Sequence, residues 1–416
     1  MFLVQRLREK FFTQRLSEFD SSLPQSILDI EYKTRSNIFA WRGQFSPQLI
    51  EELLLSYCPK NAIVLDPFAG SGTVLYESAC FGITAFGCEV NPAAWILSRT
   101  YEISNIEINE RKQFIRLLAE KLEEYFPKPK LFDREEFHIL DLDEFKQAIF
   151  SIYAKAESFE NIVLDTLVIL LDLANNSLTR ELIHNTFYKI CQVIRELPYS
   201  DKPINTYLGD ARNIPLETEY VDFVVTSPPY INVFNYHQNY RRSAEILGWD
   251  LLKIAKSEIG SNRANRSNRF LTVIQYCLDI ACVLKELQRV CKHDARVIFV
   301  VGHESNVLGV PFYNAKIISD LATRAGVFEL VLTQKRNFKN KFGKLIREDL
   351  LNFFNKNYIL SGSEWDEIAR NVAYEVLNDG LRVVPEKNKY ALVEAIEKVP
   401  DLGKSPLLSP SLCSLL

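Results

Sequence analysis

The chain has 416 residues, of which 47% are hydrophobic and 25% charged, and its net charge is 49 − 53 = −4. At about 150 residues per domain the length allows two or three domains, and the composition excludes wholesale disorder, collagen-like repeats and a disulfide mini-scaffold. The acid excess excludes a generally basic coat, so any nucleic-acid contact must come from cations concentrated locally.

Met1-Phe2-Leu3-Val4 meets charge at Arg6, Arg8 and Lys10, which leaves no apolar core of signal-peptide length. The longest apolar run, Ile162 to Leu173, is interrupted by Asp165 and Asp172. It falls short of the ~18 residues of a membrane span. The expected location is therefore the cytoplasm. The eight cysteines form no Cys-x-x-Cys pair and the five histidines are scattered. Reduced, buried thiols are expected, and no metal site.

Residues 2–19 read as an amphipathic helix. Residues 46–57 read as a second, with Ser46 as N-cap and Pro47 at the first helical position. Ala62 to Leu65 is a short apolar run of the kind buried on both faces of a sheet. A Gly-rich turn (Asp66 to Thr73), a helix (Val74 to Phe81), a second strand (Ile83 to Cys88) and a second helix (Pro92 to Tyr101) follow. This βαβ pattern predicts a parallel sheet. Residues 104–200 are helical in pattern, with breaks near Pro127/Pro129 and Asn175/Asn176, and read as an all-helical insertion. Strands resume at Thr206 to Leu208 and Val221 to Val225. A helix over about 270–291 leads into the strand Arg296 to Val301, and a helix over 312–325 follows. Phe328 to Thr333 and Asp349 to Phe354 read as a closing antiparallel pair around a basic loop. Residues 360–416 hold two short helical patterns and a Ser/Pro/Leu tail with no structure expected.

Two stretches carry chemistry. Asp66-Pro67-Phe68-Ala69-Gly70-Ser71-Gly72-Thr73 ends a strand and opens a helix, where open α/β sheets bind ligands. Gly70 and Gly72 allow a tight turn and close approach of the backbone to a ligand, and the helix start offers free N–H groups. Glu89 ends the second strand, where a carboxylate accepts hydrogen bonds from ribose hydroxyls. No third glycine follows at the dinucleotide spacing, which disfavours a nicotinamide dehydrogenase. Thr226-Ser227-Pro228-Pro229-Tyr230 directly follows another strand. Two prolines cannot continue a central strand; they hold a stiff, extended backbone framed by a hydroxyl and a phenol.

As a pair, these motifs resemble those of the amino-methyltransferases of DNA, which methylate cytosine N4 or adenine N6. The resemblance covers about residues 30–355. It implies an α/β fold, a Rossmann-like class I methyltransferase sheet with a helical insertion and a small C-terminal extension. The expected division is 1–60, an N-terminal helical segment with an upstream cofactor motif; 61–103 and 201–356, the methyltransferase domain; 104–200, the insertion; and 357–416, the extension. The resemblance implies S-adenosyl-L-methionine as methyl donor. It places cofactor contacts at Phe45 and Pro47 of Phe45-Ser46-Pro47, and at Asp66, Pro67, Phe68, Gly70, Gly72, Thr73, Glu89 and Asn91. Asp210 and Ala211, in Gly209-Asp210-Ala211, match the acidic turn that borders the cofactor's adenine ring.

Ser227, Pro228, Pro229 and Tyr230 are the implied catalytic group. The Ser227 hydroxyl and the Pro228 carbonyl accept from the target amine, and Tyr230 stacks on a base flipped out of its duplex. The chain has no Pro-Cys dipeptide, which disfavours the covalent route of cytosine C5 methylation. Serine at 227 points to cytosine N4, whereas the cofactor loop preceding Ser-Pro-Pro-Tyr is the less common order among N4-cytosine enzymes. The expected activity is site-specific methylation of cytosine N4 in DNA. The alternatives are an N6-adenine DNA or RNA amino-methyltransferase and, from another class, an inactive nucleic-acid-binding regulator. Expected nucleic-acid contacts are Tyr236 and Arg241 beside the base, and Arg263, Arg266 and Arg269. Further ones are Lys335, Arg336, Lys339, Lys341 and Lys344 within 335–347, a stretch of six cations and no acid. The insertion is expected to read the recognition sequence, and a cognate restriction or defence-system protein is the expected partner.

Overall fold

Side chains along the central strands alternate between two hydrophobic clusters. Val64, Ala85, Phe223, Val225, Ile298 and Val300 lie in one; their neighbours Leu65, Phe86, Val224, Val297, Phe299 and Val301 lie in the other. This is the period of two of a strand, and a sheet apolar on both faces must be covered on both. The computed structural model describes residues 21–128, 139–231, 236–260, 267–339, 343–356 and 358–408. The expected helix over 2–19 lies outside them.

The described elements begin with α1 (Gln25–Asp29), α2 (Pro47–Tyr57), β1 (Ile63–Asp66), α3 (Thr73–Phe81), β2 (Thr84–Glu89) and α4 (Pro92–Arg99). A 3-10 turn over Thr100–Asn105 leads into α5 (Ile108–Tyr125), α6 (Leu142–Tyr153), α7 (Ser158–Leu170) and α8 (Arg180–Glu196). Next come β3 (Ile204–Leu208), β4 (Val221–Thr226), α9 (Arg241–Ile246), α10 (Leu251–Ile254), α11 (Leu271–Val290) and β5 (Cys291–Gly302). A small hairpin of β6 (Ser305–Val307) and β7 (Val310–Phe312) precedes α12 (Asn314–Arg324), β8 (Phe328–Lys339) and β9 (Leu345–Asn355). Helices α13 (Gly362–Gly380) and α14 (Glu386–Glu397) follow.

The sheet order is β3-β2-β1-β4-β5-β9-β8, with β3 to β5 parallel and β9 antiparallel to both neighbours. The order reverses between β1 and β4. Accordingly α3 crosses one face, with Leu75 in the first cluster, and α11 crosses the other, with Ile274 in the second. Ligands of such sheets bind outside the carboxyl ends at that switch point. This is the Rossmann-like arrangement expected of class I methyltransferases.

Three regions carry more than the sequence predicted. First, the helices of the expected insertion, 104–200, share one core with the sheet: Leu118, Leu164 and Ile183 lie in a cluster with Val64 and Leu75. Arg111 on α5 is buried and donates to the carbonyls of Ser104, Ile106, Ile194, Leu197 and Pro198 at 2.6–3.3 Å. The guanidinium keeps its hydrogen bonds only while both ends of the insertion stay docked. Second, the expected basic loop is mostly strand: pairing runs from Phe328↔Asn355 to Lys339↔Leu345. Third, the C-terminal tail is packed as far as Leu408. At α2, Ser46 stands at the N-cap with extended backbone, yet its side chain makes no capping hydrogen bond.

Candidate active site

The switch point holds a cleft of about 820 Å³, its solvent-open mouth included. Its walls come from four strand ends. β1 supplies Pro67 to Gly70 and, one helix turn on, Thr73; β2 supplies Glu89, Val90 and Asn91. The end of β3 supplies Gly209, Asp210 and Ala211, and the end of β4 supplies Ser227 and Pro229, with Tyr236 beyond. Residues from Trp41 to Phe45 close one side.

Glu89 organises the floor. Its Oε2 accepts from the Gly70 amide and its Oε1 from the Asn91 amide, both at 2.8 Å. Burial pushes the Glu89 carboxyl up to about 7, against those two hydrogen bonds. Asn91 caps α4 through Oδ1, which accepts from Ala93 and Ala94, while its buried Nδ2 has no partner among the described residues. Gly70 has φ +52, and a Cβ there would sit 3.4 Å from Trp41 Cδ1. A carboxylate with lone pairs to spare, an unused buried amide donor and an aromatic wall over a glycine suit a ribose, its neighbouring polar groups and a planar ring. The residues present therefore fit S-adenosylmethionine.

Several expected residues hold the cleft without lining it. Asp66 is buried under the turn, where Oδ1 accepts from Thr226 Oγ1 at 2.7 Å and from the Phe68 amide at 3.1 Å. Burial raises its carboxyl to about 7. Gly72 also serves packing, not ligand approach: at φ +85 its missing Cβ would fall 2.7 Å from the Tyr101 ring and 2.9 Å from Ser98 Cβ. Pro47 begins α2, and Pro228 is buried and not among the residues that line the cleft. The Tyr230 ring lies over Gly302, where a Cβ would come within 2.9 Å of it; its hydroxyl bonds Ser227 and the Gly302 backbone. Tyr230 is thus aimed at the strand end and Tyr236 at the cleft. Burial pushes both phenols up.

Asp210 reaches the cleft through a buried network. Arg212 donates to both its oxygens at 2.8 and 2.7 Å, and to Asp279 at 2.8 Å. The same guanidinium donates to the carbonyls of Ser257, Ser405 and Pro406, and the Leu408 amide donates to Asp210. The C-terminal strap therefore backs the acidic turn.

The cleft also contains residues the sequence did not single out. Ser257, Glu258 and Ile259 line it because Gly260, at φ +79, brings their segment against the Tyr230 carbonyl; a Cβ there would be 2.7 Å from that oxygen. Glu258 Oε2 lies 3.4 Å from His237 Nδ1, and both side chains are buried. Nothing in the local sequence marks Glu258. Trp41 and Gln44 had a signal in their closeness to Phe45: Gln44 Oε1 accepts from Ser71 Oγ at 2.8 Å, and Trp41 stacks on Tyr240.

Of the expected nucleic-acid contacts, Arg263, Arg266 and Lys341 lie outside the described residues. Arg241 pairs with Glu245 at 2.6 Å, and Arg269 is exposed. Arg336 is buried: it donates to the Leu28 carbonyl at 2.6 Å and to Glu348 at 2.7 Å, so it holds α1 to the hairpin and is not presented to phosphate. Lys335, Lys339 and Lys344 are exposed.

Fold and cleft match the class I methyltransferase arrangement that the motifs imply. A family model described as DNA methylase matches residues 8–98. The Type II methyltransferase M.MjaII of Methanocaldococcus jannaschii is 22% identical over 441 aligned residues, covering 76% of this chain and 82% of its own. M.AvaI of a Nostoc species is 22% identical over 413, covering 78% and 85%. M.BsoBI of Geobacillus stearothermophilus is 21% identical over 443, covering 80% and 86%. These similarities, to a DNA methylase family model and to Type II methyltransferases, agree with the resemblance of the two motifs to the S-adenosylmethionine-dependent amino-methyltransferases of DNA. Among the described residues no helix is long and apolar enough to cross a membrane.

Proposed function

We propose that this protein methylates the exocyclic N4 amine of cytosine within a specific DNA sequence, as the modifying half of a Type II restriction-modification pair in the cytoplasm. The observation that carries the choice of atom is Ser227, a neutral hydroxyl on the cleft wall, hydrogen-bonded to Tyr230. An exocyclic amine is a weak nucleophile because its lone pair is delocalised into the ring. Two acceptors on its N–H groups draw the lone pair back. The Ser227 oxygen is one and the Pro228 carbonyl the other. When Ser227 donates its own proton to Tyr230, both its lone pairs remain for the amine. Bound S-adenosylmethionine supplies an electrophilic methyl group. Glu89 holds its ribose and the Asp210 turn borders its adenine. Ser227 and Pro228 orient the amine for in-line attack, so positioning and fixed dipoles do the catalytic work. Tyr236 walls the base side.

The order of the two motifs favours adenine N6 as the second reading. Incubation with unmethylated DNA of mixed sequence, followed by nucleoside mass spectrometry, separates them. N4-methylcytosine is the expected product. N6-methyladenine alone would overturn the target atom and leave the site in place, whereas no product on any nucleic acid would favour an inactive binder. The insertion is assigned to sequence reading, through its contact with the segment after β4. There Arg242 donates to the Leu173 carbonyl, and the Leu173 amide donates to Ser243.

A further inference from the structure

A second cavity, of about 520 Å³ with its mouth included, lies at the carboxyl end of β5. There β9 sets Glu348 opposite Gly302 and Asp349 opposite Val301, while β8 sets Lys335 opposite Asp349 and Asn337 opposite Arg347. His303, the residue after β5, donates its amide to the Arg347 carbonyl at 3.0 Å. His303, Lys335, Asn337, Arg347, Glu348 and Asp349 line the cavity.

Its two carboxylates are already engaged. Asp349 is buried 2.8 Å from His303 Nδ1, and Glu348 accepts from Arg336 at 2.7 Å. Lys335 and Arg347 are exposed, and their side chains make no ion pair among the described residues. The cavity thus offers two uncommitted cations, the Asn337 amide and an imidazole whose orientation Asp349 fixes.

Its position gives the ligand. In the sheet the cofactor cleft lies on the β1 side of β4, and this cavity on the β5–β9–β8 side. Tyr230 stands between them, its ring on Gly302 and its hydroxyl on Ser227. At ~4.8 Å per strand the cavity lies on the order of 10 Å from the Ser227 turn. A base presented to Ser227 on that side brings its own backbone to this distance. An open, polar, cation-lined hollow suits a phosphodiester, and a guanidinium fork matches its oxygens.

We infer that this cavity seats a backbone phosphate of the DNA strand that carries the target base, with Arg347 and Lys335 as its charged donors and Asn337 and His303 beside them. The inference rests on the reading of the chain as a DNA amino-methyltransferase and adds the path of the strand.

The test uses the full-length protein and unmethylated plasmid DNA. The variant Lys335→Ala/Arg347→Ala should raise KM for DNA tenfold or more and leave kcat and the Kd for S-adenosylmethionine within twofold. The slope of log affinity against log salt should fall by about 0.9 for each phosphate no longer neutralised. Lys335→Arg/Arg347→Lys should restore most of the affinity. The same charge change at Lys387→Ala/Lys389→Ala, on α14, should do little. Unchanged KM and salt slope overturn the inference, as does an equal effect of the α14 variant, which would mean general charge attraction. Weakened binding of single-stranded RNA with DNA binding intact also overturns it. Wild-type methyl transfer to DNA, read in the same samples, separates a failure of this site from a failure of the enzymatic reading.

Discussion

The two cavities flanking the Ser227–Tyr230 turn have opposite electrical character. The cleft on the β1 side is walled by the carboxylates of Glu89, Asp210 and Glu258, with Arg42 exposed at its margin. The hollow on the β9 side presents Lys335 and Arg347, its carboxylates already bonded to His303 and Arg336. A sulfonium methyl donor is cationic and DNA is a polyanion, so under the reading proposed above the cleft suits the first and the hollow the second. Both belong to one sheet and meet at one turn. The difference teaches that the two proposed sites differ in charge on either side of a single strand, β4, a sorting built into a protein whose net charge is only −4. Partial burial strengthens this sorting, because charges in a low-dielectric interior act more strongly than in water.

The largest test of the acidic side is Arg212→Met. It strips Asp210 and Asp279 of their common partner and frees the strap at Ser405 and Pro406. Breaking a buried pair of this kind typically costs about 3–5 kcal/mol. Urea unfolding should show that loss, and calorimetry a weaker Kd for S-adenosylmethionine. Full stability would mean that the acidic turn stands without its guanidinium.

Ser227→Ala tests the boundary between the cavities. Removing one positioned hydrogen-bonding group should slow methyl transfer by ~10²–10³-fold in single turnover. Affinity for S-adenosylmethionine should stay within twofold, because the lost group acts on the amine. An equal fall in cofactor affinity would put Ser227 on the cofactor's side of the divide.

Glu89→Ala sharpens the assignment of the cleft. Each charge-assisted hydrogen bond removed is worth about 1.5–3 kcal/mol, so Kd for S-adenosylmethionine should rise at least tenfold. DNA affinity at fixed salt should not fall. A variant that binds the donor normally would remove Glu89 from the ribose.

Asp66→Asn is read not through activity but through a change in pH dependence. Asp66 has a folded-state value near 7, above its ordinary 3.8. A carboxyl raised on folding contributes stability that is fully present below the unfolded value and is lost as pH rises through the folded one. Wild-type stability should therefore fall relative to Asp66→Asn between about pH 4 and 7, by up to roughly 1 kcal/mol per pH unit. Both hydrogen bonds to Asp66 end on Oδ1, which an asparagine can keep. Parallel stability curves would show that the carboxylate stays charged under the turn.

From residues alone, the βαβ pattern predicted the sheet, and the two glycines, Glu89 and Ser-Pro-Pro-Tyr implied the cofactor and the reaction class through their resemblance to a known family. Those features are local: a strand buried on both faces must be apolar throughout, and a turn at its carboxyl end needs glycine or proline at set positions. The tertiary structure decided which members of the motifs touch a ligand. Gly72 looked equivalent to Gly70 until the fold set Tyr101 and Ser98 against it. Arg336 looked like its neighbours Lys335 and Lys339 until strand alternation turned it inward onto Leu28 and Glu348. Glu258 and the C-terminal strap had no signature, because each reaches the site by a long-range contact: Gly260 on Tyr230, and Arg212 on Ser405 and Pro406. Sequence specifies conformation over a few residues through sterics and periodicity, whereas contacts between distant segments exist only once the sheet has set its strand order.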